Sequence, residues 1–196
     1  MGVHVKRWLA LVSLCLAVLG LNASVAAPAH AIVHTYSYFE FDKGTAPVGE
    51  LHFWVYNVAT DALILHRTWP AGSGTGSADE CYTNNGWLPN GTYSVKAWHK
   101  TNGVILGDIF ELSDKKCPSR TLRTDLFIHT EQTASSGQCT NTSGVDDTCY
   151  WGDSSNEYRS NGCIKLSPTD LHSAYATFLM YNSANTWYGG KLTVHD

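Results

Sequence analysis

The segment Arg159-Ser160-Asn161-Gly162-Cys163-Ile164-Lys165-Leu166 sets a thiol directly after a glycine and at the head of a short apolar run. Gly162 lets the backbone bend tightly there and leaves the sulfur uncrowded. Upstream, Asp125-Leu126-Phe127-Ile128-His129 reads as a strand that delivers an imidazole at its end. A cysteine and a histidine far apart in the chain, each at the mouth of a strand, form a candidate nucleophile and base. A cysteine of pKa about 8.5 is only about a few per cent thiolate at neutral pH. His129 would therefore have to take the proton, or form a thiolate–imidazolium pair, for Cys163 to react there. The turn Ser160-Asn161-Gly162 is the candidate oxyanion cradle, through the backbone N–H of Cys163 and a neighbour. The plainer alternative is a buried structural cysteine and one histidine among the nine of the chain.

Positioning these groups is work for strands. Residues 32–41 alternate, with Thr35, Ser37, Phe39 and Phe41 opposing His34, Tyr36, Tyr38 and Glu40. Strands are expected over 51–56 and 62–69, joined as a hairpin, and the Gly/Ser-rich stretch 71–79 is expected to be loop. Pro89-Asn90-Gly91 is a turn signal ahead of a further strand, and 104–112 reads as its neighbour. The polar span 130–157, lying between the candidate base and nucleophile, has the length and composition of a lid. Ser167-Pro168-Thr169-Asp170 starts the one convincing helix, with Leu171, Ala174, Tyr175, Phe178 and Leu179 as its apolar stripe. Lys191 to His195 reads as a last strand.

The chain of 196 residues opens on an export signal. Lys6 and Arg7 precede an apolar run from Trp8 to Leu21, and Ala29-His30-Ala31 is a small-x-small cleavage site. The run is too short and wrongly flanked for a stable membrane span. Leu14 and Leu16 crowd Cys15 out of a lipid-attachment site. This divides the chain into a signal peptide, 1–31, and a single secreted domain, 32–196. A formal charge of −4 argues against a nucleic-acid partner. Setting Cys15 aside leaves Cys81, Cys117, Cys139, Cys149 and Cys163, an odd number, so one thiol is left over in an oxidising compartment. Spacing favours the local pair Cys139–Cys149, and Cys81–Cys117 follows if Cys163 is spared. No C-x-x-C is present, and neither a metal nor another cofactor is expected.

Three of these segments, in this order, resemble the L,D-transpeptidase (YkuD-like) catalytic domain. Trp87-Leu88-Pro89-Asn90-Gly91-Thr92-Tyr93 is similar to that family's T-P-x-G-x-[YF] turn, and Phe127-Ile128-His129 to the strand carrying its catalytic histidine. Ser160-Asn161-Gly162-Cys163-Ile164-Lys165-Leu166 is similar to its S-H-G-C-[IV]-[RN]-[LM] motif, with Asn161 where the family has histidine. The resemblance implies a mainly β, sandwich-like catalytic fold and a cysteine acyl-enzyme. It also implies peptidoglycan stem peptides as substrate and a location at the cell wall. Cys163 would be the nucleophile and His129 the base, acting as a monomer on the bond between diaminopimelate and D-Ala. Arg159 and Lys165 are candidate partners for stem-peptide carboxylates, and Tyr150 and Trp151 are candidate site-lining rings because they fall in the lid. The alternatives are an L,D-carboxypeptidase or endopeptidase that passes the acyl group to water, and a wall-binding or inhibitor domain without catalysis.

Overall fold

A computed structural model describes residues 34–44, 48–75, 77–133, 135, 137–139, 149–152, 155–182 and 190–196. The expected signal peptide, 1–31, lies outside the described residues. Among the described residues ten strands are seen: β1 Thr35–Asp42, β2 Val48–Asn57, β3 Leu63–Ser73, β4 Gly91–Thr101, β5 Leu106–Leu112, β6 Lys115–Lys116, β7 Leu122–Arg123, β8 Phe127–His129, β9 Ile164–Lys165 and β10 Gly190–His195. One helix, α1, spans Pro168–Tyr181, and a single 3-10 turn covers Ser155–Tyr158. The protein is thus mainly β, with its helix directly after the cysteine segment.

Alternation explains the strands. In β1 and β2 the residues Phe39, Phe41, Leu51, Phe53 and Val55 point into the core, while Tyr36, Tyr38, Trp54 and Tyr56 line the outer face. Eight strands close on themselves in the order β1-β10-β4-β5-β8-β9-β3-β2, and β6 and β7 form a separate hairpin. This corrects the sandwich expectation. β10 lies parallel to β1 and antiparallel to β4, and so joins what would otherwise be two open edges. A second correction concerns residues 71–73, expected to be loop. They continue β3 and are buried, because Gly72 and Ser73 pair with Lys165 and Ile164 of β9. Small residues there admit a neighbouring strand that composition alone does not reveal.

The helix starts as its sequence dictates. The Ser167 side chain accepts from the Asp170 N–H at 3.1 Å and Pro168 opens the first turn. Leu171, Ala174 and Phe178 are buried in the main core, and Tyr175 stacks on Trp98 with centroids 4.4 Å apart. Leu179, counted in the apolar stripe, is exposed instead. Both expected disulfides form, Cys81–Cys117 and Cys139–Cys149, and Cys163 is the free cysteine among the described residues.

Candidate functional site

The site is built on the parallel pairing of β8 with β9. Ile128 pairs with Ile164 and His129 with Lys165. Ile128 and Ile164 face the core, so by period two Phe127, His129, Cys163 and Lys165 share the opposite, outer face. There Cys163 packs with Phe127 and Ile109 in a cluster separate from the main core, and Ile109 is itself the register partner of His129. The imidazole and the thiol therefore lie on one face of neighbouring strands, one pair of residues out of step. Each is covered: Cys163 is 8% exposed and His129 2%.

Hydrogen bonds define the resting state of the pair. His129 Nδ1 lies 3.1 Å from the Thr130 carbonyl oxygen. A carbonyl can only accept, so the proton sits on Nδ1 and Nε2 is left as the basic nitrogen. The thiol donates to the Asp125 carbonyl at 3.5 Å rather than to the imidazole. Asp125 holds that carbonyl in place from the left-handed region, φ 54°, an uncommon conformation for a residue with a side chain.

Burial dominates the electrostatics. It pushes the Cys163 thiol up to about 12; the Phe127 N–H and the Arg123 guanidinium pull it down, and the Glu131 and Asp125 carboxylates raise it further. Burial also pulls His129 down to about 4, against the Glu131 carboxylate and the Thr130 carbonyl, with Lys165 adding to the depression. The pair rests as neutral thiol and neutral imidazole, so of the two routes open to Cys163 a standing thiolate–imidazolium pair is disfavoured. Two charges are not affordable in so dry a pocket until something on the substrate shares them.

The remaining candidates fall into two groups. Ser160 organises the turn: its hydroxyl donates to the Cys163 carbonyl at 2.6 Å and accepts from the Gly74 and Gly162 N–H groups, both at 3.3 Å. Gly162 has φ 106°, and a Cβ there would run into Arg123 Nη2. Lys165, 1% exposed, is neither a solvated charge nor directed at open solvent. Its Nζ pairs with Glu131 at 2.8 Å and sits 5.2 Å from the Trp151 ring centroid. Trp151 is thus brought to the site, and its Nε1 donates to the Glu131 carbonyl at 3.2 Å. Arg159 and the Asn161 side chain are exposed instead, and Tyr150 is half-buried with its ring against Gly152. The middle of the expected lid, 140–148, lies outside the described residues. Its described ends fold back over Lys165 through Glu131 and Trp151.

Arg123 was not legible as a site residue. Only 2% exposed, it donates to the carbonyls of Glu80 at 2.6 Å, Trp87 at 3.4 Å and Asn161 at 3.4 Å. Among the described residues no carboxylate stands within ion-pair distance of it. A buried guanidinium held by carbonyls leaves its positive potential uncompensated beneath the Ser160–Cys163 turn. Its neighbours in sequence, Leu122 and Thr124, mark nothing that a solvated arginine would not also show. Among the described residues no three His, Cys, Asp or Glu side chains converge on a metal position, and no helix is long and apolar enough to cross a membrane.

The two buried neutral groups make stability depend on pH at both ends. His129 binds its proton more weakly folded, about 4, than at the ordinary 6.5, so the unfolded chain takes up the proton first. The stabilisation is complete above pH 6.5 and lost as the pH falls toward 4, about 3 kcal/mol in all. Cys163 acts in the opposite direction, its contribution being lost as the pH rises from 9 toward 12. Urea unfolding from pH 7 to pH 4 is expected to show this acid loss in the wild type and a shallower slope in His129→Gln. Equal slopes would refute neutral burial of His129.

Neither the family models nor the curated proteins compared with the chain match it.

Proposed function

We propose that this chain is a cysteine acyl-transferase of the L,D-transpeptidase type, exported and acting on peptidoglycan stem peptides, with Cys163 as nucleophile and His129 as base. The observation that carries the reading is the free, buried thiol sharing one strand face with an imidazole whose Nε2 is left unprotonated. Two disulfides fit an oxidising compartment. Substrate would have to open the covered Cys163–Phe127 face, and His129 Nε2 would take the thiol proton as sulfur attacks the amide carbonyl between diaminopimelate and D-Ala. The C–S bond forms, the C–N bond breaks, and the proton passes from His129 to the leaving D-Ala amine. Arg123 supplies positive potential as charge appears on sulfur and the carbonyl oxygen. An amine acceptor then gives transfer, and water gives the carboxypeptidase outcome. Because both groups rest neutral, the reaction is general-base attack rather than attack by a standing thiolate.

The burial and neutrality of the thiol also favour a second reading, a wall-binding domain on which Cys163 is inert. Intact mass after exposure to a carbapenem separates the two. Wild type is expected to gain the mass of one β-lactam, and Cys163→Ala to gain none. Iodoacetamide labelling of the same thiol should accelerate with pH up to at least pH 9 without a neutral plateau. A thiol that no acylating agent modifies would leave the binding domain as the correct description.

A further inference from the structure

The outer face of β2 and β3, remote from the thiol, carries a second grouping of side chains. The register sets His52 opposite Thr68 and Trp54 opposite His66, so all four project from one face. Three donor atoms converge there. His52 Nδ1 lies 3.0 Å from His66 Nε2 and 3.0 Å from Thr68 Oγ1, and the latter two are 3.3 Å apart. This face extends away from the β3–β9 pairing, which begins at Gly72, six residues beyond His66 and about 20 Å along the strand.

Each ring is held from behind. Glu50 Oε2 lies 3.6 Å from His52 Nε2 and so favours the proton on that nitrogen, leaving Nδ1 as the electron-pair donor. His66 stacks on Trp54 with centroids 3.6 Å apart and planes 2° from parallel. Trp54 is in turn fixed by its Nε1–H donating to Glu40 at 2.6 Å, and Glu40 also contacts His195 Nε2 at 2.8 Å.

We propose that His52 Nδ1 and His66 Nε2 chelate a divalent first-row transition cation, Cu(II) foremost, at the outer face of the barrel, with Thr68 Oγ1 at the third corner. Two nitrogens each about 2.1 Å from a metal and at right angles to one another are about 3.0 Å apart, which is the separation found. The near-equilateral triangle matches one face of a tetragonal coordination shell, whose open side is solvent. Imidazole donors and that geometry suit Cu(II), which the Irving–Williams order also places first. Binding needs no net loss of a proton from neutral imidazoles, because the hydrogen between the two rings moves to His66 Nδ1. Protonation of either ring opposes binding, so affinity falls as the medium is made acid.

Titration of the full chain with Cu(II), in a Cys163→Ala background so that no thiol reduces the metal, tests the site. Electron paramagnetic resonance and its spin-echo modulation should show one equivalent of Cu(II) with two equatorial imidazoles. His52→Asn and His66→Asn should each leave at most one imidazole and weaken binding on the order of tenfold or more, and Glu50→Gln should weaken it by about tenfold. Paramagnetic broadening of the His52 and His66 ring resonances in that same Cys163→Ala background gives a readout that no histidine substitution can disturb by misfolding. A two-imidazole signal that persists in His66→Asn, broadening confined to other histidines, or no stoichiometric binding would overturn the proposal.

Discussion

Gly162→Ala should lose on the order of 5 kcal/mol of stability and with it the reactivity of Cys163. Two costs add. The backbone at φ 106° lies where an L side chain is strained by about 1–2 kcal/mol. The new Cβ would also occupy the place of Arg123 Nη2, and the guanidinium cannot retreat without abandoning carbonyls of Glu80, Trp87 and Asn161. Hydrogen bonds from a charged donor are each worth roughly 1.5–3 kcal/mol. The chemical-denaturation midpoint reads the first effect and carbapenem adduct formation the second. A drop below about 1 kcal/mol would mean that the guanidinium is not locked beneath the turn, and its assigned electrostatic role would fail with it.

Removal of the Cys81–Cys117 bridge by a double serine substitution ranks next, at about 4 kcal/mol from loop entropy over its separation of 36 residues. Its position makes the effect more than entropic. Cys117 begins the loop of the β6–β7 hairpin whose far strand ends at Arg123, and Cys81 adjoins Glu80, whose carbonyl accepts from that same arginine. Glu80 also pairs with buried Lys43 at 2.5 Å. The bridge thus clamps the two segments between which the guanidinium is held. The double variant is expected to react more slowly with a carbapenem even where it remains fully folded. An unchanged adduct rate at a lowered urea midpoint would show that the bridge stabilises without positioning Arg123.

Local patterns carried much of this into view. Period-two alternation exposed β1, short apolar runs exposed β2 and the strand ending at His129, and Ser167-Pro168 announced the helix, because those signals are written within a few residues of one another. The odd cysteine count pointed to one spare thiol before any geometry, and the structure leaves it at Cys163 among the described residues. What stayed hidden depends on partners distant in the chain. Ala71 to Ser73 look like loop until Ile164 and Lys165 lie beside them. Lys165 looks solvated until Glu131 and Trp151 close over it. Arg123 has no local signature, since its partners come from residues 80, 87 and 161. The neutrality of Cys163 and His129 follows from burial, and burial is set by the whole barrel.

The position of β10 bears on how the chain reaches its native state. β10 lies between β1 and β4, so the barrel cannot close until residues 190–196 are in place. Until then β1 has β2 alone for a neighbour, and Phe39, Phe41 and Tyr93 border an open seam. Closure joins strands more than 140 residues apart in the chain. Pairing over such separations loses much loop entropy before contacts compensate, which places this topology among the slow, millisecond-to-second folders. The barrel would thus remain unlocked, however early its other strands pair, and set only when β10 arrives.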